Sequence, residues 1–299
     1  MTQCTPADLT SRPNLVLPLA IGLFCLTWSS AFAAGKIALA DCPPLLLLCM
    51  RFLLAGALML GVAILLRRGP WPTGRDLAAH LLAGLLGNAV YLGFSYSGLV
   101  TVSSGLTALI ISANPILTAL LARPLLGEPL GRRTLVGLGL GLAGVALILR
   151  HRLGAGAEDV HGVLLILVAL VALSASAITY KRLKPRGDLL VANGIQALAS
   201  GLALAPFALG LEDVGAIHWT PRFVAAFTFL VLTASVAAYL LWLWLLNRYS
   251  ATRASAWHFV MPPLGLLIGW AVLGEPVAAI DLIGIVPVAI GIAMVTRKS

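Results

Sequence analysis

The sequence predicts an all-helical membrane protein of ten spans, built as two five-helix repeats of opposite orientation. Three observations predict it. Hydrophobic residues make up 60% of the 299 residues and charged residues only 10%, against about 25% charged in a soluble domain. Ten apolar runs of spanning length follow one another, joined by short polar turns. The tetrapeptide LGEP occurs at 126–129 and again at 273–276, an offset of 147 residues.

A chain this apolar lacks the polar skin that a water-soluble domain needs, so lipid is its natural solvent. A spanning helix takes about 20 mostly apolar residues. The runs fall at 14–35, 43–66, 77–99, 102–123, 131–150, 160–181, 188–210, 221–246, 250–272 and 278–297. The first starts after Arg12 and ends in AFAA at 31–34, a pattern shared with cleavable signal peptides. The repeat described below needs five spans in each half, which argues for its retention. DCPP at Asp41 separates spans one and two. RRGPWPTGR from Arg67 separates two and three, GEPLGRR from Gly127 four and five, and KPRGD from Lys184 six and seven. Each supplies a helix-breaking proline or glycine. In GEP, the glycine is expected to end one helix and the proline to open the next. The domain organisation expected is a cytoplasmic tail at 1–13, a first repeat at 14–150 and a second, inverted repeat at 151–299.

The formal charge of +9 would suit nucleic acid if the basic residues clustered on one face. They sit between spans instead. With the N-terminus on side one, that side holds Arg12, then Arg67, Arg68 and Arg75, then Arg123, Arg132 and Arg133. It also holds Lys181, Arg182, Lys184 and Arg186, then Arg248 and Arg253, then Arg297 and Lys298. Side two holds Lys36, Arg150, Arg152 and Arg222. The bias makes side one cytoplasmic, with both termini inside. Nucleic-acid binding is not expected. Cys4, Cys25, Cys42 and Cys49 show no metal or disulfide spacing, and no cofactor or metal is expected.

At the 147-residue offset Leu135 meets Leu282, Gly137 meets Gly284, Gly144 meets Gly291, and Pro115 meets Pro262. At an offset of 145, Ser29 meets Ser174, Lys36 meets Lys181 and Arg51 meets Gln196. Each half holds five spans, an odd number, so the second half enters the membrane from the opposite side. Inverted repeats of this kind are a transporter architecture, with the site near the midplane between the halves.

Trp28-Ser29-Ser30 in span one, Arg51-Phe52 in span two, a proline in spans four and nine, and LGE after each of those spans resemble the EamA family of the drug/metabolite transporter superfamily. The resemblance covers nearly the whole chain. Within the superfamily the chain most resembles YddG-type exporters. The resemblance implies a bacterial inner-membrane protein exporting aromatic and neutral amino acids. It also implies a central cavity lined mainly by helices 1, 3, 4, 6, 8 and 9, with helices 5 and 10 peripheral.

Polar groups at membrane depth are costly and usually face the bundle interior or a wet cavity. Span three carries Asn88, Tyr91 and Ser95 at i, i+3 and i+7, one helical face. Span eight, its counterpart, carries Ser235, Tyr239 and Trp242. These stripes read either as a cavity wall for an amphipathic solute or as interhelical packing. Trp257 and His258 lie about two turns into span nine. His258 would bind a substrate carboxylate or a proton, or else bond a neighbour's backbone. Trp257 would stack on an aromatic substrate or anchor at the interface. Trp28, Ser29 and Ser30 answer Ser174 and Ser176 of span six, for close packing or pore lining. Asn114 precedes Pro115 in span four, and Pro262 sits in span nine. The prolines are flex points or static bends. Arg51, about 12 Å into span two, must be paired or wet, and its strongest reading is structural.

GLGLAG at 139–144 matches a nucleotide-binding spacing but lies inside an apolar run, where glycines make a packing face. No Asp or Glu lies deep in a span. A buried carboxylate relay is therefore unsupported, leaving facilitated export or coupling through His258. The reading reached is an exporter of amino acids or similar small amphipathic metabolites, working by alternating access. Export of drugs, nucleosides or sugar derivatives is the rival of the same class. An intramembrane enzyme and a non-transporting scaffold are the rivals of other classes. The expected partners are the solute and the bilayer. The sequence leaves monomer and homodimer equally open.

Overall fold

The computed structural model describes residues 16–154 and 158–296. The tail expected at 1–13, with Arg12 and Cys4, and the terminal Arg297 and Lys298 lie outside the described residues. Ten long helices run in succession: α1 (Val16–Leu39), α2 (Pro44–Leu65), α3 (Gly74–Leu99), α4 (Ser104–Leu126), α5 (Arg132–Gly154), α6 (Val160–Leu183), α7 (Leu189–Leu211), α8 (Pro221–Arg248), α9 (Ala251–Leu273) and α10 (Ala279–Thr296). Among the described residues, α1–α4 and α6–α9 are each long and apolar enough to cross a bilayer. Helices are what lipid permits, because each backbone polar group finds its partner within the segment.

The polar residues between spans act as caps. The Asp159 carboxylate accepts from the backbone N–H groups of His161 and Gly162 at the start of α6. Asp188 does the same for α7, and the Thr220 and Ser250 hydroxyls serve α8 and α9. Each satisfies N–H groups that a helix start leaves without partners.

Repeat-related helices pack on each other: α2 against α7, and α5 against α10. Small residues permit both contacts. A side chain at Gly56 would collide with the Leu198 backbone, and one at Gly144 with the Gly284 carbonyl. Gly144 ends the GLGLAG run, which is thus a helix-packing surface.

The two LGEP turns have the same geometry. Gly127 and Gly274 end α4 and α9 in the left-handed region, at φ 69° and 68°. Gly127 N–H donates to the Arg123 carbonyl and Gly274 N–H to the Trp270 carbonyl, the left-handed closure of a helix, and Glu128 and Glu275 N–H reach back to the Ala122 and Gly269 carbonyls. The prolines do not open the next helices. α5 starts at Arg132 and α10 at Ala279, so Pro129 and Pro276 stiffen the connections instead.

Each glutamate then reaches across to the other repeat. Glu275 accepts from Ser104 N–H (2.9 Å), Ser104 Oγ (2.9 Å) and Gly105 N–H (3.1 Å), at the start of α4. Glu128 accepts from Ala251 N–H (2.7 Å), Thr252 N–H (3.2 Å) and Thr252 Oγ1 (2.7 Å), at the start of α9. Glu275 therefore sits at the start of α4, and Glu128 just beyond its end, about 33 Å away along the helix. The repeats are inverted, as the parity of the spans requires.

Four helices depart from regular α geometry. α3 is a π-helix over Leu85–Val90 and α8 over Leu230–Ala238, at matching places in the two repeats. α4 is interrupted at Ser112–Ala113, just before Pro115. α9 tightens to a 3₁₀ turn at Ala256–Val260, just before Pro262, and widens to a π-helix at Gly269–Leu273. Proline lacks the N–H that would continue the ladder, so both breaks fall where the sequence places the prolines.

Candidate functional site

The central cavity lies at the level of the two matching π-helical stretches. α3 supplies Asn88, Tyr91 and Tyr96, and α8 supplies Ser235 and Tyr239. α1 adds Trp28 and Phe32, α2 adds Arg51 and Phe52, and α7 adds Asn193. Its volume is about 30 Å³, on the order of one water molecule's share of liquid. Both ends of the bundle are held by the glutamate clamps. At this volume the site must widen to hold a solute of amino-acid size.

Arg51 dominates its electrostatics. The side chain is buried, and its guanidinium donates to Ser235 Oγ (2.7 Å) and to Tyr96 OH (2.9 Å). It also lies 5.4 Å from the centroid of the Phe52 ring and 5.7 Å from that of Tyr96. Among the described residues no carboxylate pairs with it. Among the described residues the charge is stabilised by neutral dipoles and ring faces. Asn193 Nδ2 donates to the Ser235 carbonyl, which fixes α7 against the bulged segment of α8.

Toward the Glu128 end the cavity is floored by rings. His258 packs against Trp242 (centroids 5.0 Å), Trp28 (5.4 Å) and Phe24 (5.7 Å), all edge to face. Trp28 also stacks at 6.3 Å on Tyr239. His258 Nδ1 lies 3.0 Å from the Ser255 carbonyl and so carries the hydrogen. Nε2 is then the acceptor, and it is buried without a hydrogen-bond partner among the described residues. In this tautomer the ring accepts a donor rather than binding a carboxylate.

A family model for EamA-like transporters matches residues 17–150 and again 160–297. The chain belongs to the EamA-like transporter family. Relatives include the uncharacterized transporter YvbV of Bacillus subtilis, 27% identical over 96% of this chain and 93% of that protein. The uncharacterized inner membrane transporter YedA of Escherichia coli K12 is 30% identical over 95% of this chain and 92% of its own. A probable terminal-alkyne amino-acid exporter of Streptantibioticus cattleyicolor is 25% identical over 94% of this chain and 93% of that protein. One solved crystal structure superimposes with a TM-score of 0.73 over 93% of this chain and 95% of that one, at 20% identity, and shows the fold.

Within this family frame, the residues singled out from the sequence fall into three places. Trp28, Asn88, Tyr91 and Tyr239 line the cavity. Trp242 and His258 form its ring floor. Trp257 lies outside, on a groove between α1 and α9. Asn114 joins a buried network at the two proline breaks. Its Oδ1 accepts from Ser174 Oγ (2.7 Å) and Thr118 Oγ1 (3.1 Å), and Ser255 Oγ donates to Thr118 Oγ1 (3.3 Å). That chain ties α4, α6 and α9 together. Ser29 and Ser95 are buried away from the cavity lining.

The residues lining this cavity come from α1, α2, α3, α7 and α8, and α9 contributes His258 to the ring floor. Ser235, on the span-eight stripe, does line the cavity; the residues missed were Tyr96 and Asn193, and Arg51 was undervalued. The miss at Tyr96 has a physical cause. A π-helical turn inserts an extra residue, so the face defined by Asn88 continues at Tyr96 rather than at Ser95.

Proposed function

We propose that this transporter exports amino acids, aromatic and neutral ones above all, or similar small amphipathic metabolites that carry a carboxylate. The observation that carries the reading is Arg51, a buried cation held by neutral groups in a cavity walled by aromatic rings. A solute carboxylate arriving there would gain a charge-assisted, two-pronged contact, while its apolar part meets Trp28, Tyr91 and Tyr239. The absence of a carboxylate partner to Arg51 among the described residues disfavours cationic drugs. The named amino-acid exporter among the relatives supports the same direction.

Transport would proceed by alternating access. The two inverted halves rock about the midplane cavity, and the breaks beside Pro115 and Pro262 absorb the bending. In this reading the Glu128 end faces the cytoplasm and the Glu275 end the outside, an orientation that the basic-residue bias supports. The test is flux of a labelled amino-acid panel in proteoliposomes, with and without a pH gradient. Movement of aromatic or neutral amino acids supports the reading, and no movement of any amino acid overturns it. A response to the gradient that His258→Ala abolishes would assign proton coupling to that residue.

A further inference from the structure

Two further hollows adjoin each other on the flank of α9, at the Glu128 end. The first is an apolar groove of about 670 Å³ between α1 and α9. Leu17, Ile21, Cys25 and Leu26 line one side, and Trp257 and Leu264 the other. The second is a polar vestibule of about 440 Å³ where α8 ends and α5 and α9 begin. It holds Arg133, Arg248 and Arg253 beside Glu128. Tyr249 and Arg253 line both, so the hollows share a wall and lie side by side.

We propose that groove and vestibule together bind one anionic glycerophospholipid, with its phosphate among the three arginines and an acyl chain in the groove. Charge complementarity carries the choice of occupant. Glu128 is engaged by the start of α9, which leaves the vestibule with a net positive field. Arg133 and Arg248 are exposed and Arg253 half-buried, as suits groups meeting a headgroup at the surface. Basic pockets between helices at the membrane surface hold anionic headgroups in this way. The groove has the polarity and shape of a chain. It runs from Leu17 to Leu26, about 14 Å along α1, and exposed Leu19 and Leu23 continue the same lipid-facing flank. A bound chain would lie against Trp257 and Cys25, directly behind His258 and Phe24. Occupancy of the groove would therefore bear on the floor of the transport cavity.

The test is made on the full-length protein purified in mild detergent from membranes containing phosphatidylglycerol and phosphatidylethanolamine. Lipids that co-purify are quantified by mass spectrometry. Phosphatidylglycerol should be enriched several-fold over its share of the membrane. The combined variant R133Q/R248Q/R253Q should lose that enrichment while keeping its melting temperature. In vesicles, phosphatidylglycerol brominated on its chains should quench a part of the fluorescence that W257F lacks. Equal retention of both lipids, or retention unchanged in the triple variant, overturns the proposal. Displacement of the quenching lipid by a transported amino acid would mark the groove as a solute path and overturn it too.

Discussion

Glu128 and Glu275 occupy equivalent turns, 147 residues apart, yet each caps a helix of the opposite repeat. Glu128 holds Ala251 and Thr252 at the start of α9, and Glu275 holds Ser104 and Gly105 at the start of α4. The four captured positions are themselves related by the 147-residue offset. Duplication has thus made one motif into two clamps, one at each end of the bundle. A carboxylate facing a helix start meets both free N–H groups and the positive end of the helix dipole.

Glu128→Ala and Glu275→Ala should each destabilise the fold by about 1.5–3 kcal/mol, the range for hydrogen bonds to a charged group. Thermal unfolding in detergent measures this. The lesions should also be separable by side. Cysteines placed beside residue 251 should gain reactivity toward an impermeant reagent only in the Glu128 variant, and those beside residue 104 only in the Glu275 variant. Equal gains at both ends would contradict independent clamps.

Gly56→Val should disrupt the α2–α7 contact, because its side chain would meet the Leu198 backbone. Overpacking of this kind costs about 1–3 kcal/mol. Gly61 lies on the same helix with open space around it, so Gly61→Val is the matched control. It should melt close to the parent protein.

Cys42, in the turn between α1 and α2, is buried, and burial together with nearby Glu212 and Asp41 pushes its thiol from 9.0 up to about 12. The folded state therefore holds this proton more tightly than the unfolded chain does. Its contribution to stability is intact below about pH 9 and is lost between pH 9 and 12. At pH 8 the folded protein should leave Cys42 unlabelled by maleimide, and unfolding should release it. Rapid labelling of Cys42 in the folded protein would show the turn to be open.

The fold was legible in the sequence because lipid imposes a simple code. Apolar run length gave the spans, and their odd number in each half gave the inversion. The prolines marked the breaks in α4 and α9. The cavity was only partly legible. Asn88, Tyr91, Ser235 and Tyr239 could be found from helical spacing and Trp28 from the Trp-Ser-Ser motif, but Tyr96 could not. The π-helical turn that brings it inward has no signature in residue order. Asn114 reads equally as pore or tie until its partners Ser174 and Thr118 are seen. Arg51 was the available signal that deserved more weight. An arginine deep in a span, in a chain with no acid at that depth, has no partner of its own to neutralise it.

The most direct test of the account compares an amino acid with its decarboxylated amine, in proteoliposomes containing the parent protein or Arg51→Gln. The account predicts that the parent moves the amino acid and not the amine. It predicts that Arg51→Gln folds normally but loses at least about tenfold of that flux, the loss corresponding to about 1.4 kcal/mol. Equal movement of acid and amine by the parent, or full amino-acid flux through Arg51→Gln, would contradict it.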